Sequence, residues 1–182
     1  MNAMQASKIV VDSIDLIRQR TVEYPVLDLA CGNGRNGMYL VNENIPVVFA
    51  DRDQDRLDEL AEALSGSTLA DVWTVDFEAP GQSPLADEAF SAILAFRYLH
   101  RPLMPAIKNA IKPGGLVVYE TFTTEHPRYG RPTNPDYLLR PGELEAVFSG
   151  WQILHSFEGE SRSETGGRPQ AIAQIIAEKP LA

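Results

Sequence analysis

The stretch LDLACGNGRNG, residues 27–37, sets Gly32, Gly34 and Gly37 at the spacing G-x-G-x-x-G, with Asp28 just upstream. Glycines so placed let a backbone approach a ligand closely, and a helix N-terminus behind them favours an anion. A dinucleotide pyrophosphate is the ligand that this spacing, taken literally, would cradle. Asp28 would repel it, and the same carboxylate would attract a cation such as an α-ammonium group. Two more acids extend the pattern. Asp51 closes the apolar run PVVFAD, at the right distance to accept from both hydroxyls of a ribose. Asp76 closes LADVWTVD with Phe77 beside it, a carboxylate to accept from an adenine amino group and an aromatic to pack on the ring.

For these acids to converge, each must stand at the end of its own strand in one sheet. Val10, Ile14 and Ile17 predict an amphipathic helix over residues 5–20. YPVLDLA reads as a strand, and the glycine loop leads into a helix through Val41. PVVFAD is a second strand. Asp53 can cap the next helix, whose Leu57, Leu60, Ala61 and Leu64 share a face, and Gly66 ends it. LADVWTVD and AFSAILAF are the third and fourth strands. A helix through Leu103, Ile107 and Ile111 stops at KPGG, before the fifth strand LVVYETF. A loop rich in Pro, Arg and Tyr covers residues 123–140, then a short helix runs from Pro141 to Gly150. WQILHSFEG and QAIAQIIAEKP have no helix between them and should pair as an antiparallel hairpin. The expected fold is one α/β domain over residues 1–182, with a doubly wound, mostly parallel seven-stranded sheet and one antiparallel strand from the hairpin.

Composition removes several alternatives. A formal charge of −9 argues against general nucleic-acid binding, which needs a basic surface. One cysteine, Cys31, allows no intrachain disulfide framework. The N-terminus lacks a signal-peptide core, and no run reaches the roughly 18 apolar residues of a membrane span. The expectation is a soluble, cytoplasmic protein without a membrane partner.

Ammonium, ribose and adenine, with no phosphate, are the groups of S-adenosylmethionine, and here the sequence resembles the class I S-adenosylmethionine-dependent methyltransferases over nearly its whole length. VLDLACGNG is similar to their first motif, FADRDQDRL to the ribose segment and VDFEAP to the adenine segment; FSAILAFRYLHR and IKPGGLVVYETF are similar to their fourth- and fifth-strand segments. Ala30 departs from a glycine common there. Within the class, YLLRPGELEAVFSGWQILHSFEG most resembles the small tellurite-resistance-type methyltransferases. The resemblance implies cofactor contacts at Asp28, Ala30, Gly32, Gly34, Asp51, Arg52, Asp76, Phe77 and Phe96, with S-adenosylhomocysteine as product. Two rivals stand beside it. A nicotinamide-dependent oxidoreductase is favoured by the glycine spacing and disfavoured by Asp28 and Asp76. A methyltransferase-like binding protein would keep the loop without the chemistry.

The remaining reactive side chains read more plainly. Cys31 is a small residue lining the loop, with no histidine placed to activate it. His100, His126 and His155 lack metal-ligand spacing, and no metal is expected. NPDY, residues 134–137, resembles an amino-methylation signature but follows the fifth strand instead of the fourth, so Asn134-Pro135 reads as a turn. Five of the twelve arginines fall in loops on the expected ligand edge. A small acceptor, anionic or a metalloid oxyanion, would then meet Arg97, His100, Arg128, Tyr129 and Arg131; the competing reading pairs these arginines with nearby acids such as Glu125 and Glu160. His100 and Tyr98 are the nearest bases in sequence, and the N-terminal helix, residues 1–22, can serve as a lid.

Overall fold

A computed structural model describes residues 5–21, 23–81, 83–164 and 166–181; positions 1–4 and 22 of the expected N-terminal segment lie outside them. The apolar runs lie side by side as strands β1 (Val26–Leu29), β2 (Val47–Asp51), β3 (Ala70–Thr74), β4 (Phe90–Phe96), β5 (Ile111–Phe122), β6 (Gln152–Arg162) and β7 (Pro169–Glu178). They form one sheet in the order β3-β2-β1-β4-β5-β7-β6. β7 runs antiparallel to both β5 and β6, and the other neighbours pair in parallel. Strand β6 is therefore parallel to β1–β5, which puts the tip of the last hairpin on the carboxyl edge. The single antiparallel strand expected from the hairpin is β7.

Helices α1 (Lys8–Asp12), α2 (Ile14–Arg20), α3 (Arg35–Asn42) and α4 (Gln54–Ala63) cover one face, over a core of Val26, Phe49, Leu94, Val118 and Ile176. Helices α5 (Met104–Ala110) and α6 (Glu143–Val147) cover the other, over Leu27, Ile93, Tyr119 and Ile175. Leu116 and Val118 face one layer while Val117 and Tyr119 face the other, the alternation that a strand imposes. Between β3 and β4 the described residues form turns rather than a helix, and Phe77 and Leu85 fill that part of the second core.

Two expectations need correction. The N-terminal helix is broken in two at Ser13, whose hydroxyl donates back to the Ile9 carbonyl at 2.6 Å. A serine that bonds its own preceding turn competes with helix continuation, a preference that the apolar periodicity does not carry. Strand β5 begins at Ile111, before KPGG instead of after it. Residues 112–115 form a bulge, because Phe90 pairs with Ile111 while Ala92 already pairs with Leu116.

Helix α3 packs close to β1 and β2 through Gly37. A Cβ there would stand 2.4 Å from the Phe49 ring and 2.8 Å from Asp28 Oδ2. The third glycine of the motif thus serves helix–sheet packing. Gly37→Ala should lower unfolding stability by about 1–3 kcal/mol through overpacking; an unchanged midpoint in urea would show that α3 can lift off without cost.

Candidate active site

At the carboxyl edge the chain leaves β1 through three left-handed residues, Ala30 (φ 51°), Gly32 (φ 58°) and Gly34 (φ 69°), and Gly34 caps α3. Ala30 holds this conformation without a glycine's freedom, a strain on the order of 1 kcal/mol that tends to collect at functional sites. Asp28 lies beneath the loop, only 3% exposed, and its Oδ2 accepts from the Gly37 N–H at 2.9 Å. Burial pushes its carboxyl up to about 7, against the lowering effects of the Gly37 bond and of Arg35. The N-terminus of α3, where a pyrophosphate would sit, already holds the protein's own carboxylate. A second anion would be repelled there, and a cation above the loop would be favoured.

Asp51 joins that loop to the next one. Its Oδ2 accepts from the Gly32 N–H at 2.8 Å and its Oδ1 from the Asp53 N–H at 3.0 Å. Each carboxylate oxygen can accept more than one hydrogen bond, so the pair remains able to receive a ribose diol. Asp76 Oδ1 accepts from the Glu78 N–H at 2.9 Å, fixing the turn after β3. Ala30, Asp51, Arg52, Asp76, Phe77 and Tyr98 contribute to the lining of a recess of about 160 Å³. Phe77 is held edge-on by Trp73, with ring centres 5.7 Å apart. Of the other residues expected to hold cofactor, Asp28, Gly32, Gly34 and Phe96 are not part of this lining, and Phe96 packs toward the α1–α4 face.

A second cavity, about 390 Å³, shares Arg52, Glu78 and Tyr98 with this recess and adds Arg97, Thr121, Phe122 and Tyr137. Arg97 follows β4 with φ at 57°. Its Nη2 pairs with buried Glu120 at 2.9 Å and donates to Gln170 Oε1 at 2.9 Å, while the guanidinium lies 4.2 Å above the Phe122 ring. Glu120 also accepts from Gln174 Nε2. Arg97 is thus held by an ion pair to Glu120 and a hydrogen bond to Gln170, both through Nη2.

His100, Arg128, Tyr129 and Arg131 do not line this cavity. Arg128 pairs with Glu125 and with Glu160, the surface pairing weighed as the alternative. The Arg131 carbonyl receives His126 Nε2 at 3.0 Å, and His126 stacks on Phe122 from 3.8 Å. Asn134 accepts from the Asp136 N–H at 3.0 Å, the turn read from NPDY. Sequence reasoning missed Phe122, Thr121 and Tyr137 as lining residues. The period-two pattern of β5 could have offered the first two, whereas Tyr137 reaches the site through a loop that no local signal positions.

Two possible reactive groups stay protonated. Burial, with Asp28 and Asp51 nearby, pushes the Cys31 thiol far above its ordinary value. Burial, with Glu78 and Asp76 nearby, does the same to the Tyr98 phenol, so Tyr98 can donate a proton-sharing bond but is not a base near neutrality. The Ser7 N–H donates to Asn36 Oδ1 at 2.8 Å, Arg35 to the Gln5 carbonyl and Ser7 Oγ, and the Lys8 N–H to Glu164 at 2.6 Å. These bonds tie the N-terminal strap to the first turn of α3 and to the hairpin.

The structure is thus a doubly wound sheet with carboxylates near the carboxyl ends of three adjacent strands. Known proteins share this fold. Residues 26–115 match the model of a methyltransferase domain family. TehB from Haemophilus influenzae superposes with a TM-score of 0.73 at 22% identity, over 93% of this chain and 61% of that one. A SAM-dependent methyltransferase from Methanosarcina mazei gives 0.70 at 15% identity, covering 98% and 100%. The N-methyltransferase NodS from Bradyrhizobium japonicum gives 0.66 at 10%, covering 94% of each. This chain thus spans about three fifths of the TehB chain. No curated protein matches its sequence. Residues 26–115 thus match a methyltransferase domain, and the whole chain shares the fold of S-adenosylmethionine-dependent methyltransferases.

The Asp28 environment has a measurable consequence. The folded chain holds that proton more tightly than the unfolded chain, so ligand-free stability should fall as pH rises from about 4 to 7. In Asp28→Asn this fall should shrink, visible in urea midpoints at pH 5 and 8. Binding of S-adenosylhomocysteine should strengthen across pH 6–8 in the wild type, as the carboxylate ionises, and be weaker and flat in the variant. Equal pH profiles for the two proteins would remove Asp28 from cofactor recognition.

Proposed function

We propose that the chain is an S-adenosylmethionine-dependent methyltransferase acting on a small acceptor that bears an oxyanion, an organic acid or a metalloid oxyanion, bound in the cavity beside Arg52 and Arg97. The observation that carries this reading is the shared wall between cavity and recess: Arg52, Glu78 and Tyr98 belong to both, so an acceptor there would adjoin the cofactor. Asp51, with both oxygens directed at loops around the recess, and Asp76 would hold the adenosine, while buried Asp28 supplies a negative field under the loop. The cofactor supplies an electrophilic methyl group when bound, so alignment and desolvation can provide much of the rate.

Arg97 is neutralised by Glu120, whereas Arg52 forms no ion pair among the described residues. Arg52 therefore keeps a full fork for an anion. An acceptor that arrives ionised needs no base, in keeping with a protonated Tyr98 and Cys31 at this edge. Net charge −9 disfavours a nucleic-acid acceptor. The strap formed by Gln5, Ser7 and Lys8 would act as the lid, since its bonds to Arg35, Asn36 and Glu164 close over the loop.

The test is release of S-adenosylhomocysteine from S-adenosylmethionine with a panel of small carboxylates and metalloid oxyanions. With the acceptor found, Arg52→Ala should raise its KM at least tenfold, the loss of a charged hydrogen bond worth about 1.5–3 kcal/mol. Arg128→Ala should leave KM unchanged. Turnover confined to neutral amines, or an unaltered KM in Arg52→Ala, would overturn the anionic-acceptor reading.

A further inference from the structure

The Tyr98 hydroxyl is the one buried side-chain polar atom without a hydrogen-bond partner among the described residues. Leaving such a group unpaired costs more than a typical hydrogen bond gains, so each instance in a folded protein calls for an explanation. Its placement is not slack. The Arg97 N–H donates to the Glu120 carbonyl at 2.9 Å, and the buried Tyr119 hydroxyl donates to the Tyr98 carbonyl at 2.7 Å. Strand β5 therefore holds the turn on both sides, and the left-handed Arg97 directs the chain out of β4 at that point.

Tyr98 stands in the wall common to the recess and the acceptor cavity, so either ligand could meet it. The recess joins Tyr98 to Asp51, Asp76 and Phe77, none of which lines the acceptor cavity. Burial, with carboxylates nearby, keeps the phenol protonated, so it offers a proton and needs a lone pair opposite. Within an adenosine, ring nitrogens of the purine present such lone pairs, while the amino group does not and is the natural partner of Asp76.

We propose that Tyr98 is a cofactor-specificity residue, its hydroxyl donating to a ring nitrogen of the adenine. The proposal rests on the S-adenosylmethionine reading of the recess. It gives the motif after β4 a task in purine recognition, in addition to the acids after β2 and β3.

Calorimetric titration of S-adenosylhomocysteine and its 1-deaza, 3-deaza and 7-deaza analogues, into the wild type and Tyr98→Phe, tests it without any acceptor. The variant should bind S-adenosylhomocysteine five- to fiftyfold more weakly. One deaza analogue should show a similar loss with the wild type and little further loss with the variant, the coupling expected of direct partners. The ligand-free variant should melt at the same temperature or higher, because an unpaired buried hydroxyl has been removed; a tyrosine with a structural role would lower it. Binding within twofold of wild type, or equal losses for every analogue in both proteins, overturns the proposal while the cofactor reading survives. Absence of S-adenosylhomocysteine binding by the wild type overturns both.

Discussion

The contact between the Asp28 carboxylate and the Gly37 N–H governs the ligand chemistry of the whole edge. A helix N-terminus behind a glycine loop is by default an anion site, and most of what the glycine spacing implies follows from that default. Here the anion is built in, 2.9 Å from the helix N–H and sealed beneath the loop. The helix charge is spent internally, and the carboxylate, too buried to be at ease ionised, favours positive charge above it. Gly37 is required twice over, as the donor and as the residue whose missing side chain lets Phe49 and Asp28 approach.

The other polar groups of the edge are arranged around that centre, one strand end at a time. Asp51 bridges the loops after β1 and β2, so the two oxygens proposed to receive a ribose also fix the shape of both loops. Beyond β4 the logic changes. Arg97 is paired with buried Glu120 and donates to Gln170. A buried acid paired in this way stabilises little by itself, and removing one partner would strand the other charge. The pair makes better sense as a fixed wall between the two ends of the site than as a free anion clamp, which leaves Arg52 as the open guanidinium.

Much of this was legible in the residues alone. The strand ends are where the apolar runs stop, so the placement of Asp28, Asp51 and Asp76 near the carboxyl ends of β1, β2 and β3 could be read from the runs. The hairpin was legible because no helical period separates WQILHSFEG from QAIAQIIAEKP. What escaped depends on long-range placement. Serine content does not say that Ser13 will bond backward and split a helix, and KPGG reads as a helix stop whether it lies inside a strand or before it. For the arginines after β5 the residues left two readings open, acceptor ligands or pairing with nearby acids, and Arg128 takes the second, with Glu125 three residues away and with Glu160 from the hairpin.

The same reasoning explains why the chemistry can run with so few reactive groups. Cys31 and Tyr98 are both driven toward their neutral forms by burial and, beyond that, by the carboxylates around the recess. A site that gathers acids to hold a cation makes every nearby acidic proton harder to remove, so it is a poor place to create a base. An acceptor that must be deprotonated on the enzyme would be working against the field that binds the cofactor. An acceptor already ionised in water avoids that conflict, provided that a cation beyond the acids receives it, and Arg52, facing both recess and cavity, stands where that cation is needed.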